Sequence, residues 1–207
     1  MPLTCGLGIQ EPPTKPPGST KMSEQQPPYR IRNANASDLA VVRQISAVAY
    51  ISAYMPVLGY IPKPAEEDYS ARIPRKEIWI MERDGYAIGV AVLEEHSDHL
   101  LVYSIAVTLK EQGQGYGRAL LDFADRRAIA IRVPEIRLYT NTRMEKNIAL
   151  YRRHGYIETG VRSHPSRPGE TLFDMVRPIV SRSYQSTHRP HDLYRLEGHV
   201  HGSSRGG

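Results

Sequence analysis

Cysteine is almost missing from this chain, with Cys5 the only one in 207 residues. An internal disulfide framework and a cysteine-rich zinc site are therefore excluded. Long apolar runs are missing too. The longest clean stretch is Tyr86 to Leu93, so no transmembrane helix is expected. The start, MPLTCGLGIQEPP, has neither a charged n-region nor an apolar h-region, which speaks against a secretory signal. Charge of one sign is also lacking: 27 Lys and Arg stand against 22 Asp and Glu, a net of +5. That balance is basic but mixed, unlike a dedicated nucleic-acid arm. A cytoplasmic protein without membrane or nucleic-acid partners is the expectation. What is present is ordinary for a globular chain, 40% hydrophobic and 24% charged, enough for a sizeable core.

Proline divides the chain unevenly, since seven of its 16 fall in the first 28 residues. Residues 1–28 show almost no periodic apolar pattern and read as a disordered tail. Met22 lies in this tail and is a candidate start, with the preceding 21 residues an over-extended reading frame; an intact mass of the natively expressed protein decides it. Residues 179–207 read as a second disordered tail, rich in Arg, His and Gly. Its His188, His191, His199 and His201 are irregularly spaced, with no cysteine or acidic ligand set, so no metal is expected there. Between the tails, 29–178 reads as one domain.

Within that domain, Tyr29–Asn33 reads as a strand. A helix follows, capped by Ser37, with Leu39, Val42 and Ile45 at helical spacing. Pro56, Gly59, Pro62 and Pro64 break the chain after Tyr54, and a short second helix is expected near Glu66–Arg72. Asp84-Gly85 joins strands Ile78–Arg83 and Tyr86–Glu94 as a hairpin, and His99–Val107 is the next strand. Then come a helix from about Gly115 to Arg132, strand Ile136–Asn141, helix Glu145–His154, and strands Tyr156–Val161 and Thr171–Arg177. The order β-α-α-β-β-β-α-β-α-β-β describes an α/β (α+β) domain, a mixed sheet with helices packed on it.

The stretch Ile105-Ala106-Val107 through Gln112-Gly113-Gln114-Gly115-Tyr116-Gly117-Arg118 leaves a strand, turns on glycines and opens a helix. Backbone N–H groups at such a helix start have no intrahelical partner and sit at the positive end of its dipole, which suits a phosphate or pyrophosphate. A Walker-type loop is excluded because no Gly-Lys-Ser/Thr follows. The dinucleotide fingerprint is excluded because its third glycine position is Arg118 and the turn follows the fourth strand.

Gln112-x-x-Gly115-x-Gly117 after Ile105-Ala106-Val107 resembles the pyrophosphate-binding motif of the GNAT superfamily of N-acetyltransferases. Asn147-Ile-Ala-Leu-Tyr151-Arg-Arg-His-Gly155-Tyr156 resembles its second signature. One departure is visible: the asparagine that many members carry seven residues before this tyrosine is Met144 here, and Asn147 stands four before it. The resemblance implies the GNAT fold, with about seven strands and four helices, in a single-domain member of bacterial type.

It also implies acetyl-CoA as co-substrate, lying where the third and fourth long strands splay. Main-chain groups of Ile105, Ala106 and Val107 would meet the pantetheine arm, and amides from Gln112 to Arg118 the pyrophosphate. Asn147 would add a contact, Val107 N–H would stabilise developing charge, and Tyr151 would protonate the departing thiolate. Tyr103 and Glu94 are the candidates for the general base; strand alternation groups Tyr103 with His99, Leu101 and Ile105. Acceptor choice would lie with the first two helices, where Tyr50, Tyr54, Tyr60 and Tyr69 are expected mostly to pack on the sheet. The loop SHPSRPGE would close the mouth. A small-molecule amine is the expected acceptor. A protein N-terminal or lysine acetyltransferase, and a non-catalytic CoA-binding domain, are the alternatives; homodimers are frequent in such domains.

Overall fold

The computed structural model describes residues 29–179. The expectations for both tails, including Met22 and the four C-terminal histidines, lie outside the described residues. The elements are β1 (Arg30–Asn33), α1 (Leu39–Leu58), α2 (Lys63–Glu66), β2 (Ile78–Arg83), β3 (Tyr86–Glu95), β4 (Leu100–Val107), α3 (Tyr116–Ile131), β5 (Glu135–Asn141), α4 (Glu145–Arg153), β6 (Ile157–Ser163) and β7 (Thr171–Pro178). Their order is the one the sequence predicts, and the chain forms an α/β domain with a mixed seven-stranded sheet.

The strands run β1-β2-β3-β4-β5-β7-β6 across the sheet. Every neighbouring pair is antiparallel except β4 and β5. Asp84 and Gly85 make the β2–β3 turn with φ of 52° and 81°, the double positive φ that a tight hairpin needs. On one face α1 lays Val42, Ile45 and Ala49 over Ile78, Ile80, Val90 and Val92. On the other, α3 lays Leu120, Leu121, Ala124 and Ala128 over Ala91, Leu93, Leu100 and Ile136. Burial of these two apolar stripes is the main stabilising term of the domain.

Four local features differ from the sequence reading. The first helix begins through Asn35, not Ser37. The Asn35 side chain accepts from Ser37 N–H at 2.9 Å, and Asp38 accepts from Asn35 N–H at 2.8 Å, a reciprocal capping box. The helix also runs through Pro56, which lies in its last turn and removes only one N–H. Gly59, at φ 76°, ends it and returns its N–H to Met55 O at 3.0 Å. The expected second helix is split into the single turn of α2 and a 3₁₀ turn, Tyr69–Arg72. Finally, Val92 pairs with Ser104 but Leu93 with Val102, so Tyr103 is the extra residue of a bulge. The bulge breaks the expected alternation: Tyr103 joins the α1 face and Ile105 the α3 face.

Read as one helix from Ala36 to Leu58, the first helical stretch is long and apolar enough to cross a membrane by length and composition alone, an 18-residue window of it having a mean hydropathy of 1.3. The sequence reading missed this because Arg43 and the serines interrupt the run. In the fold its Val42, Ile45, Ser46, Ala49 and Leu58 are buried.

Strand separation positions the site. β4 and β5 pair only through Leu100–Ile136 and Leu101–Arg137, then diverge, so the open edge of β4 from Tyr103 to Val107 faces a cleft.

Candidate active site

The Gly113–Arg118 turn follows from its glycines. Gly113 and Gly115 stand at φ 80° and 89°, a region that costs any other residue, and a Cβ at either would meet open space. Gln112 Nε2 donates to Val107 O at 3.0 Å, and Gln114 Nε2 to Lys110 O at 3.1 Å, tying the loop to the strand end. The Gln112 N–H turns inward to Leu109 O at 3.3 Å. From Gly113 to Arg118, no acceptor among the described residues takes a backbone N–H; the first helical bond is Ala119 N–H to Gly115 O at 3.0 Å. Arg83 braces the turn from behind, donating to Tyr116 Oη at 2.7 Å and to Glu111 at 2.9 Å. Arg118 is exposed beside the loop.

A groove of about 210 Å³ leads from this turn along β4. It is lined by Ala49, Ala53, Ile105, Ala106, Val107, Gly113, Gly117, Asn147 and Tyr151, among others. The small residues keep the channel open, and the unpartnered N–H groups stand at one end. This donor set fits an elongated ligand carrying a pyrophosphate, which is the chemistry of coenzyme A. At the cleft edge Ile105 N–H donates to Tyr50 Oη at 3.2 Å. Val107 O is taken by Gln112, so of the Val107 main chain it is the N–H that stays open. Asn147 reaches Tyr54 Oη at 3.1 Å.

On the other side of the cleft lies a second cavity, of about 450 Å³. Its wall includes Tyr60, Tyr103, Tyr139, Ser104, Arg162, His164 and Arg167. Tyr50, Tyr54, Ile105 and Tyr151 line both spaces and form the junction between them. Tyr54 and Tyr60 are thus cavity tyrosines. Tyr50 does both, lining the cavities and packing against the core under α1, and Tyr69 follows the expectation outright, 1% exposed in that core. Burial pushes Tyr50 and Tyr151 well above the usual phenol range and Tyr54 up to about 12. All three hydroxyls keep their protons at neutral pH.

The two base candidates meet a network that the sequence did not disclose. Arg72, 7% exposed, reaches Glu67 at 2.6 Å, Glu77 at 2.7 Å and Glu94 at 2.6 Å. Its guanidinium stacks 4.0 Å over the Tyr103 ring. Tyr103 Oη donates to Glu67 Oε2 at 2.6 Å. Burial and this bond to a carboxylate both raise the Tyr103 pKa. Glu94 spends one oxygen on Arg72, has His96 at 3.7 Å from the other, and lines neither cavity. Glu67 had no sequence signal: it lies 36 residues from Tyr103 in a turn-rich segment.

Away from the cleft, ligand atoms of Asp122, Asp125 and His154 lie within 4.8 Å of one another. Asp125 accepts from Arg177 at 2.9 Å and pairs with His154 at 3.1 Å, so its charge already has a cationic partner.

A splayed parallel strand pair, a turn with unpartnered N–H groups at the strand end and an aromatic junction between two cavities form an arrangement that fits a ligand of the coenzyme A kind. Comparison with known proteins points the same way. Residues 74–158 match the family model of the acetyltransferase (GNAT) domain. A 63-residue stretch is 36% identical to the mycothiol acetyltransferase of Jonesia denitrificans, covering 30% of this chain and 20% of that protein. The match therefore spans about a fifth of that relative's length. The fold is similar to the ribosomal-protein-S18-alanine N-acetyltransferase of Escherichia coli, with TM-score 0.57 and 19% identity over 80% of this chain and 99% of that one. It is also similar to the PaiA N-acetyltransferase of Thermoplasma acidophilum in complex with coenzyme A, with TM-score 0.61 and 16% identity over 72% of this chain and 98% of that one. The match to the acetyltransferase (GNAT) domain is thus one over residues 74–158, within a fold shared with N-acetyltransferases.

Proposed function

We propose that this chain transfers an acetyl group from acetyl-CoA directly to a small-molecule primary amine, with both held at once in the two cavities. The observation that carries the reading is the junction: Tyr50, Tyr54, Ile105 and Tyr151 border both spaces, so ligands in the two would meet there. Bound acetyl-CoA supplies an activated thioester. The N–H groups of Gly113–Arg118 hold its pyrophosphate, and the open edge of β4 at Ile105–Val107, with Asn147, flanks the pantetheine arm.

The protein's own groups then divide the proton work. Tyr50 Oη accepts the Ile105 N–H and keeps its own proton to donate to a carbonyl oxygen, with Val107 N–H as the neighbouring donor. Tyr151, protonated by burial, donates from Oη to the leaving sulfur. The acceptor enters as an ammonium and must lose a proton. Tyr103 takes it at Oη while passing its own to Glu67 Oε2, 2.6 Å away. The base is then the Glu67 carboxylate, with Tyr103 relaying the proton, and Glu94 acts only through Arg72, holding the pair in place.

The small acceptor is favoured over a peptide by the mouth of the second cavity. Arg167 donates to Ile61 O at 3.0 Å and stacks 3.7 Å over Tyr60, fastening the β6–β7 loop to the α1–α2 segment. Arg143 adds a bond to Val57 O. This bridges the path an extended peptide would follow. A thiol-release screen of the full-length protein with acetyl-CoA tests the reading. Turnover of small amines with little turnover of peptides is expected; release with basic or N-terminal peptides alone would overturn it.

A further inference from the structure

The acceptor cavity is electrically lopsided, and one group accounts for it. Its wall holds two arginines, Arg162 and Arg167. Arg162 is neutralised by Asp174 at 2.9 and 3.0 Å. Arg167 is half-buried, yet no carboxylate among the described residues lies within ion-pairing distance of it. Its partners are one carbonyl, Ile61 O, and the face of Tyr60. The acid in its own loop, Glu170, is already taken by Asn141 at 2.6 Å and Arg143 at 3.1 Å. Lys63 and Glu66 also line the wall, but they stand three residues apart on the single turn of α2 and offset each other. His164 adds no further positive charge; burial and the Arg167 cation lower its pKa, so it is neutral at pH 7.

A guanidinium partly withdrawn from water with no counter-ion gains by pairing with an anion, and a planar fork with free N–H groups is shaped for a carboxylate. The cavity has the opposite character at the Tyr103–Glu67 pair, where an ammonium is received. We propose that the acceptor is an amino acid or a close relative, a small primary amine that also bears a carboxylate, and that Arg167 binds the carboxylate. The proposal rests on the acetyltransferase reading above. It adds the substrate class and assigns Arg167 as a specificity-determining residue. A cavity of about 450 Å³ walled by tyrosines accommodates an amino acid with an apolar or aromatic side chain.

The test uses matched pairs that differ only in the carboxylate: L-phenylalanine against phenethylamine, L-tyrosine against tyramine, and L-leucine against isoamylamine. Full-length protein is assayed by thiol release with saturating acetyl-CoA, and binding is read separately by calorimetry in the presence of CoA. At least one acid is expected to exceed its decarboxylated partner by about 10- to 100-fold in kcat/KM and in affinity, the range of a charge-assisted bond. Arg167→Gln should collapse that ratio towards one by raising KM for the acid far more than for the amine. Arg167→Lys, which keeps the charge, should retain part of the preference; that outcome separates loss of the anchor from loosening of the loop. Amines bound and turned over as well as their acids, with a ratio unmoved by Arg167→Gln, would overturn the anchor while leaving the acetyltransferase reading intact. Absence of thiol release with every pair counts against that reading instead, and calorimetry still decides the anchor: acid binding that ignores Arg167 rejects it.

Discussion

At the level of single residues, the chemistry depends on where protons can sit. Tyr151 and Tyr50 stay protonated because burial disfavours the phenolate, which makes them donors and disqualifies them as bases. Tyr151→Phe keeps the ring and its packing, so kcat should fall roughly 10²-fold while the calorimetric affinity for acetyl-CoA stays unchanged. An unaltered kcat would remove the hydroxyl from the mechanism. Glu67→Gln and Tyr103→Phe break the same pair, so each should lower kcat/KM by roughly 10²-fold, and the double variant should be little worse than either single one. Additive losses would mean that the two residues act separately. Tyr151 was legible in the sequence because its motif is contiguous. Glu67 was not: the contact joins a turn before the sheet to a bulge within it, and no periodicity reports that. The bulge itself also misled the reading of Tyr103, since one extra residue moves every later side chain to the other face.

Among the elements, the turn into α3 separates conformational from steric demands. Gly115 has a left-handed backbone and open space around it, so Gly115→Ala should cost about 1–2 kcal/mol of strain, read as a lower melting temperature and weaker acetyl-CoA binding. Gly117 has no such φ but lines the groove, with the nearest atom to a Cβ being Leu150 Cδ2 at 4.0 Å. Gly117→Ala should therefore leave the melting temperature nearly unchanged and weaken acetyl-CoA alone. Equal thermal effects of the two variants would contradict this division. The elements themselves were largely readable from apolar spacing and the Asp84-Gly85 turn. Their ends were less so, because caps compete locally: Asn35 wins over Ser37 through its bond with Asp38, and Pro56 is tolerated because it falls in the final turn.

For the whole molecule, β1, β2 and the start of α1 are tied together by Arg32. It bonds Asp38 at 2.7 and 2.8 Å and Glu82 at 2.8 Å. The Arg32 bond holds the Asp38 carboxyl below its ordinary value of 3.8. A depressed folded-state pKa contributes stability that is present above the unfolded value and is lost as pH falls through the folded one. Denaturant titrations should show the native protein losing stability below about pH 4 more steeply than Asp38→Asn, which is less stable at pH 7. Parallel pH profiles for the two proteins would show that the ion pair does not couple to folding.

Direct transfer across the junction is the central claim, and the order of events tests it. The only cysteine, Cys5, stands outside the described residues, and the junction between the two cavities presents the hydroxyls of Tyr50, Tyr54 and Tyr151, which burial keeps protonated. Initial rates measured over a grid of acetyl-CoA and amine concentrations should give intersecting double-reciprocal lines, with no acetylated protein in the intact mass when amine is withheld. Parallel lines, together with a protein gaining one acetyl group in the absence of amine, would contradict the account.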